Sequence, residues 1–211
     1  MNKRRGLMLV ICAPSGTGKS TLTNRLRKEF TRLAFSVSCT TRAPRTGESD
    51  GVDYHFLSRD EFIAQRDAGH FAEWAKVHDN FYGTPKQALT EMLDEGRDVL
   101  FDIDVQGAAQ LRQSMGEGGH VFLFPPSFAT LKDRLLGRGT DPGEVVNRRL
   151  DNAPGEINQA IHFDYWIVND DLESAYDQLR AVYLAEGLRP VYRPNLPAEI
   201  LGNAAQEDSD G

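Results

Sequence analysis

A chain of 211 residues, 40% hydrophobic and 26% charged, is long enough for one domain with a full core. Its formal net charge of −7 argues against a broad electrostatic footprint for nucleic acid, although local arginines can still build a cleft for a smaller anion. Two cysteines, no apolar run of membrane-spanning length and a basic N-terminus too short to carry a signal region point away from a disulfide framework, a membrane span and secretion, so the cytoplasm is the expected compartment.

Apolar runs at Leu7–Cys12, Phe35–Ser38, Val99–Ile103, His120–Phe124 and Tyr165–Val168 alternate with helical patterns. That alternation predicts an α/β fold, a mostly parallel sheet flanked by helices. The first run leads into Ala13-Pro14-Ser15-Gly16-Thr17-Gly18-Lys19-Ser20, a glycine-rich turn opening an amphipathic helix. Backbone N–H groups around Gly16 and Gly18 can converge on phosphate oxygens, and the helix adds its positive N-terminal end. Lys19 would reach the β- and γ-phosphates and the Ser20 hydroxyl would ligate a Mg²⁺ that arrives with ATP. The expected ATP-phosphate set runs from Ala13 through Thr21, and Ala13 stands where the usual pattern has glycine.

From about Ser38 to Gln87 the pattern changes, with short strand candidates at Tyr54–Phe56 and Phe71–His78. This predicts an insertion over 38–87 between core segments 6–37 and 88–193. Helix starts are expected at Ser58-Arg59-Asp60-Glu61, a capping box, at Thr84-Pro85-Lys86-Gln87 and at Asp141-Pro142-Gly143-Glu144, with Gly96 stopping the middle helix. Pro154-Gly155 predicts a break or kink. The Gly/Arg/Thr-rich stretch Gly137 to Pro142 suits a mobile lid over 137–150. The tail 194–211, poor in large apolar groups and ending in acidic residues, is expected to be disordered beyond a domain of residues 1–193.

Arg42 and Arg45, with Tyr54 downstream, form either a phosphate clamp or a solvated basic loop. Glu73 reads locally as a surface carboxylate on a strand. Asp102 and Asp104, two apart at a strand end, both point toward the crevice beyond the sheet's carboxyl edge; the alternative for Asp102 is to cap the helical turn from Val105 to Leu111. Cys12 reads as a small buried hydrophobe. The five histidines show no metal-ligand spacing, so no protein-held metal is expected.

The phosphate loop, the Ser36-to-Glu48 segment with Asp53-Tyr54-His55-Phe56, Glu73-Trp74-Ala75, Tyr82-Gly83-Thr84, Asp102-Ile103-Asp104-Val105-Gln106-Gly107, Gly137-Arg138-Gly139-Thr140 and Val168-Asn169-Asp170-Asp171 occur in one order from Leu7 to about Glu186. Together they resemble guanylate kinase, in its bacterial single-domain form. The resemblance implies a P-loop nucleoside monophosphate kinase fold with a core, a GMP-binding insertion and a lid. It also implies transfer of the γ-phosphoryl of Mg-ATP to GMP, with dGMP as a further acceptor, in purine nucleotide metabolism and GMP recycling. By motif, Arg42, Arg45, Tyr54 and Tyr82 would hold the acceptor phosphate, and Ser38, Glu73, Thr84 and Asp104 would surround the guanine. Arg134, Arg138 and Arg149 would converge on the phosphates, Asn169 would line the adenine pocket, and Asp102 would act on the Mg²⁺ hydration shell or orient the acceptor phosphate. Lys19, Arg42, Asp102, Arg138 and Arg149 are thus the expected catalytic set. ATP and GMP are the expected partners, with no nucleic acid or membrane; a homo-oligomer is compatible with the sequence.

The guanine assignment has its own chemistry: N1–H and the N2 amino group are adjacent donors that one carboxylate can accept together, whereas adenine presents an unprotonated N1. A related kinase of ribose 1,5-bisphosphate would share the loop and lid but lack the full set of Arg42, Arg45, Tyr54, Glu73 and Tyr82. A non-catalytic guanylate-kinase-like interaction module would carry a degraded loop, whereas this chain keeps Gly18-Lys19-Ser20.

Overall fold

The computed structural model describes residues 4–77, 79–137 and 143–207, with side chains as far as residue 202. Strands β1 (Met8–Cys12), β2 (Leu33–Ala34), β7 (Asp98–Asp102), β8 (Gly119–Phe124) and β9 (Tyr165–Val168) form a parallel sheet in the order β2-β7-β1-β8-β9. Central β1 is buried on both faces, which is why it reads as an unbroken apolar run. Leu7, Leu9 and Ile11 pack with α1 (Lys19–Glu29) and α7 (Leu172–Glu186) through Leu22, Leu26, Tyr176 and Leu179. Met8, Val10 and Cys12 pack on the other face with α3 (Lys86–Asp94) and α4 (Val105–Met115) through Leu89, Leu93, Ala108 and Leu111.

A second sheet is built from β3 (Cys39–Thr40), β4 (His55–Phe56), β5 (Phe71–Val77) and β6 (Asn80–Pro85), in the order β4-β3-β6-β5. Its β3–β6 and β5–β6 pairs are antiparallel. It has its own small core of Cys39, Phe62, Phe71 and Phe81, with Phe62 of α2 (Arg59–Asp67) stacked on Phe71 and Phe81 at 4.4 and 5.3 Å. This sheet leans on the main one through α4: the Gln110 side chain exchanges hydrogen bonds with the backbone N–H and C=O of Trp74 at 3.0 and 2.9 Å. Ser114 Oγ of the same helix donates to Ala72 C=O at 2.5 Å, so two side chains of α4 fix β5, and with it Glu73, against the core. Helices α5 (Phe128–Gly137) and α6 (Gly143–Asn158) pack through Leu131, Leu135, Val146 and Ala153.

Several local expectations change in three dimensions. The second strand ends at Ala34 instead of running over Phe35–Ser38. Phe35 is 40% exposed and lies under the Arg27 guanidinium, 4.1 Å from its ring centroid, so the chain has already left the sheet edge. The Ser58 box forms as expected, with Glu61 N–H donating to Ser58 Oγ and Ser58 N–H to Glu61. Thr84 does not cap: it lies in β6 opposite Glu73, and its hydroxyl donates to that carboxylate. Gly96, at φ 75°, follows the end of α3 as anticipated.

Helix α6 runs through Pro154 without a break. Val146, Leu150, Ala153 and Ile157 keep contact with the protein on either side of the proline, whose ring faces solvent. Burial along that face offsets the one hydrogen bond that proline removes. The tail also differs, for residues Leu196–Glu207 form a helix, α8, which composition did not anticipate. Its start is tied to the turn before it by Leu196 N–H to Arg193 C=O and Glu199 N–H to Asn195 C=O. Among sequence-predicted positions, His78, Arg138 and the cap at Asp141 lie outside the described residues, as do 208–211 at the end of the tail.

Candidate functional site

Between the two sheets, at the carboxyl ends of β1 and β7, lies a cleft of ≈ 520 Å³. Its floor is the turn from Ala13 to Ser20. Gly16 and Gly18 have φ of 94° and 97°, a region L side chains resist. A Cβ on Gly18 would come within 2.5 Å of Asn169 Nδ2, and one on Gly16 within 3.0 Å of Leu135. The glycines therefore serve both the turn and the close approach of its neighbours. Ala13 packs its methyl group against the core above α1, a place where a small side chain fits.

The loop is braced from behind. Asn169, 5% exposed at the end of β9, donates from Nδ2 to Thr17 C=O at 2.6 Å. Arg134 of α5 donates to Thr17 C=O at 3.3 Å and to Asn169 C=O at 3.1 Å. Two donors thus hold the Thr17 carbonyl, and Thr17 N–H closes the turn on Pro14 C=O at 3.2 Å. Lys19 Nζ bonds Ile103 C=O at 3.2 Å and forms an ion pair with Asp102 at the end of β7.

The opposite wall carries Ser38, Tyr54, Glu73 and Tyr82. Glu73 is 7% exposed and accepts the Thr84 hydroxyl at 2.7 Å on Oε1. Burial pushes its carboxyl above the usual carboxylate range, with Asp104 adding to the rise and Thr84 opposing it. Gly107 of α4 lets the helix come close, for a Cβ there would meet Glu73 Oε2 at 3.2 Å. Asp104, not Asp102, caps α4: its Oδ1 accepts Gly107 N–H at 2.8 Å. That removes the capping alternative for Asp102, whose carboxylate faces Lys19 instead. Tyr54 and Tyr82 meet edge to face, ring centroids 6.0 Å apart.

Arg42 stands behind these tyrosines, 5.4 Å from the Tyr54 ring centroid, with its guanidinium on Glu48. The cleft lining thus includes residues 13–20, Ser38, Tyr54, Glu73, Tyr82, Asp102 and Asp104. Thr21, Arg42, Arg45, Thr84, Arg134, Arg149 and Asn169 lie outside it; Thr84, Arg134 and Asn169 instead support groups that line it. Arg149 sits part-way along α6.

The sequence reading gave no role to Glu156, which α6 projects into the cleft beside Asp104 and Lys19, and whose carboxyl is raised by burial and by Asp104. Only its helical register relative to Arg149 could have flagged it. Cys12 behaves as read: burial pushes its thiol up to about 12, and its Sγ donates to Asp104 C=O. Among the described residues no group of three or more His, Cys, Asp and Glu is placed to hold a metal ion. The exposed Ser20 hydroxyl and the Asp102 carboxylate are hard oxygen donors on one side of the loop, which suits a Mg²⁺ carried in with a triphosphate and still partly hydrated. No helix among the described residues is long and apolar enough to cross a membrane.

Comparison with known proteins agrees along the whole described core. The family model described as guanylate kinase matches residues 5–186. The guanylate kinase of Nitratidesulfovibrio vulgaris is 62% identical over 191 residues, covering 90% of this chain and 92% of that one. The guanylate kinase of Oleidesulfovibrio alaskensis is 60% identical over 198 residues, covering 94% and 96%. Among solved structures, the guanylate kinase of Anaplasma phagocytophilum superposes with a TM-score of 0.68 at 35% identity, over 91% of this chain and 92% of that one.

Proposed function

Since the chain belongs to the guanylate kinase family and transfers a phosphoryl group from ATP to GMP, giving ADP and GDP, we propose that its cleft divides into a backbone-built donor half and a side-chain-built acceptor half. The observation that carries this division is one continuous lining, with residues 13–20 on one side and Ser38, Tyr54, Glu73 and Tyr82 on the other. The loop amides and Lys19 take the ATP phosphates, and Lys19 leaves Asp102 for the β- and γ-oxygens as the triphosphate enters. Ser20 would ligate a Mg²⁺ carried in with ATP and Asp102 would hold its hydration shell, the ion supplying charge neutralisation between the phosphates. Arg134 and Asn169 act on this half by holding the loop.

On the acceptor half, Glu73 takes the guanine N1–H and N2 amino group with Oε2 and the rest of the carboxylate, while Thr84 keeps its donation to Oε1. Ser38 and Asp104 complete the base surroundings. Tyr54, Tyr82, Arg42 and Arg45 take the acceptor phosphate, whose anionic oxygen is itself the nucleophile, so no proton-abstracting base is required. Arg138 and Arg149, in the proposed lid over 137–150, neutralise charge on the transferring group in the closed complex. The same acceptor half takes dGMP, because its base and phosphate contacts do not involve the 2′-hydroxyl. The reaction then serves GMP recycling in the cytoplasm.

The test is a coupled assay of ADP release with Mg-ATP across GMP, dGMP, IMP, AMP and UMP. Turnover with GMP and dGMP, weaker turnover with IMP and none with AMP or UMP is the expected order. Equal rates for GMP and AMP would remove Glu73 from the base edge.

A further inference from the structure

Arg42 is held more completely than a substrate-binding arginine in a solvated loop needs to be. Its Nη1 donates to Ala43 C=O at 2.7 Å and to Glu48 Oε2 at 3.0 Å, and its Nη2 donates to Glu48 Oε1 at 2.8 Å. The Glu48 carboxylate therefore lies end-on across the two terminal nitrogens, and the Ala43 carbonyl takes a third N–H. A guanidinium has five N–H donors in one plane. The two left over are Nε–H and the Nη2 hydrogen beside it, parallel donors on a single edge, the arrangement that meets two oxygens of one phosphate.

Glu48 also organises the second arginine. Its Oε2 accepts Arg45 N–H at 2.7 Å, and its own N–H donates to Arg45 C=O at 3.0 Å. Gly47, at φ 91°, makes that return possible. The Arg42 and Glu48 side chains are 14% and 19% exposed, and Glu48 first, with the Tyr82 phenol of the cleft wall adding, makes the guanidinium hold its proton more tightly. The Arg42 guanidinium first, and the Arg45 N–H next, hold the Glu48 carboxyl below the usual carboxylate range, so it stays charged at neutral pH.

We propose that Glu48 is a positioning residue for the acceptor phosphate: it fixes the plane of Arg42 and leaves the Nε edge as a preformed fork for GMP. The inference rests on the assignment of Arg42 to that phosphate. Without Glu48 the guanidinium must be ordered by each incoming nucleotide, and the cost falls on acceptor binding.

The experiment compares Glu48→Gln, Glu48→Asp, Arg42→Ala and the double variant Arg42→Ala/Glu48→Gln in the full chain, by steady-state kinetics and GMP calorimetry. Glu48→Gln keeps the size but aims an amide N–H at a cation. It is expected to raise KM for GMP about tenfold or more, as for loss of a charge-assisted contact, with kcat and KM for ATP nearly unchanged. Glu48→Asp, which keeps the charge, should recover part of the loss. The double variant should bind GMP no worse than Arg42→Ala alone, because Glu48 acts through Arg42. If Arg42→Ala weakens GMP binding while Glu48→Gln does not, or if the two losses simply add, Glu48 has no positioning role. If Arg42→Ala itself leaves GMP binding intact, the assignment of Arg42 fails and this inference fails with it. Should Glu48→Gln not fold, Glu48→Asp alone and in the Arg42→Ala background carries the same comparison.

Discussion

The two halves proposed for the cleft would reach the same end, a site for anionic oxygens, by different means. The donor half is one contiguous stretch whose groups are main-chain amides, and its shape follows from two glycines at positive φ and from the bracing of Thr17 by Asn169 and Arg134. The acceptor half is assembled from side chains on β5, β6, Ser38 just before β3 and the loop from residue 41 to residue 54, around a sheet with a core of its own. A backbone site is hard to alter without deforming the chain, whereas a side-chain site can be retuned residue by residue. In the proposed division the donor half therefore suits a triphosphate common to many reactions, and the acceptor half would carry the choice of nucleobase.

Lys19→Ala should produce the largest break in this comparison. Removing the loop's lysine should cost about 10²- to 10³-fold or more in kcat, with GMP affinity by calorimetry largely kept. Loss of GMP binding in a folded variant would show that the halves are not separable.

Gly18→Ala comes next. An L residue at φ 97° costs about 1–2 kcal/mol, and the new Cβ would sit 2.5 Å from Asn169 Nδ2. A lowered Tm and a KM for ATP raised by about an order of magnitude, with KM for GMP unmoved, is the expected pattern; equal effects on both substrates would contradict a donor-side fault.

Glu73→Gln should act only on the other half. Turning one acceptor oxygen into a donor against guanine's own donors should cost about 5- to 100-fold in kcat/KM for GMP, and less for IMP, which lacks the N2 amino group. The same change should stabilise the free protein at neutral pH. The raised carboxyl of Glu73 means that the folded state holds its proton more tightly than the unfolded chain does. Wild-type stability from this group is therefore gained as pH falls through the raised folded value and lost as pH rises through it. The Tm advantage of Glu73→Gln should be greatest at neutral pH and shrink as the solution is made acidic. An advantage that grew on acidification would reverse the assigned sign.

Ala13→Gly should have the smallest effect. It removes a partly buried methyl group packed on the core, worth up to about 1 kcal/mol, and should leave both KM values in place. A change in KM for ATP beyond a few-fold would give Ala13 a part in shaping the phosphate loop.

How much of this could be read beforehand differed between the halves. Strand, turn and helix of the donor half are contiguous, so spacing alone located the turn from Ala13 to Ser20 that floors the cleft, though not Glu156, which reaches it from α6. The acceptor half needed a family resemblance, because Glu73 alone is indistinguishable from a surface carboxylate; its burial arises from β6 on one side and Gly107 of α4 on the other. Thr84 illustrates the limit. A threonine before Pro85 matches a helix cap, but the register of β5 on β6 sets it opposite Glu73, and a buried carboxylate is the better partner for its hydroxyl. At Pro154 the local rule for helix breaking was outweighed by contacts from residues that α6 brings to one face.

By itself, the sequence determined the alternating α/β order, the phosphate loop with its glycines and Lys19, the helix stop at Gly96 and the Ser58 cap, all governed by interactions a few residues apart. Tertiary structure alone decided that Asn169 and Arg134 brace Thr17, that Asp104 rather than Asp102 caps α4, that Gln110 docks the second sheet, and that Glu48 holds Arg42. Most of these partners come from separate elements, and even the short pairs, Asp104 with Gly107 and Glu48 with Arg42, were choices among nearby polar groups. A hydrogen bond goes to whichever group the packed chain leaves within about 3 Å, and that distance is set by the fold.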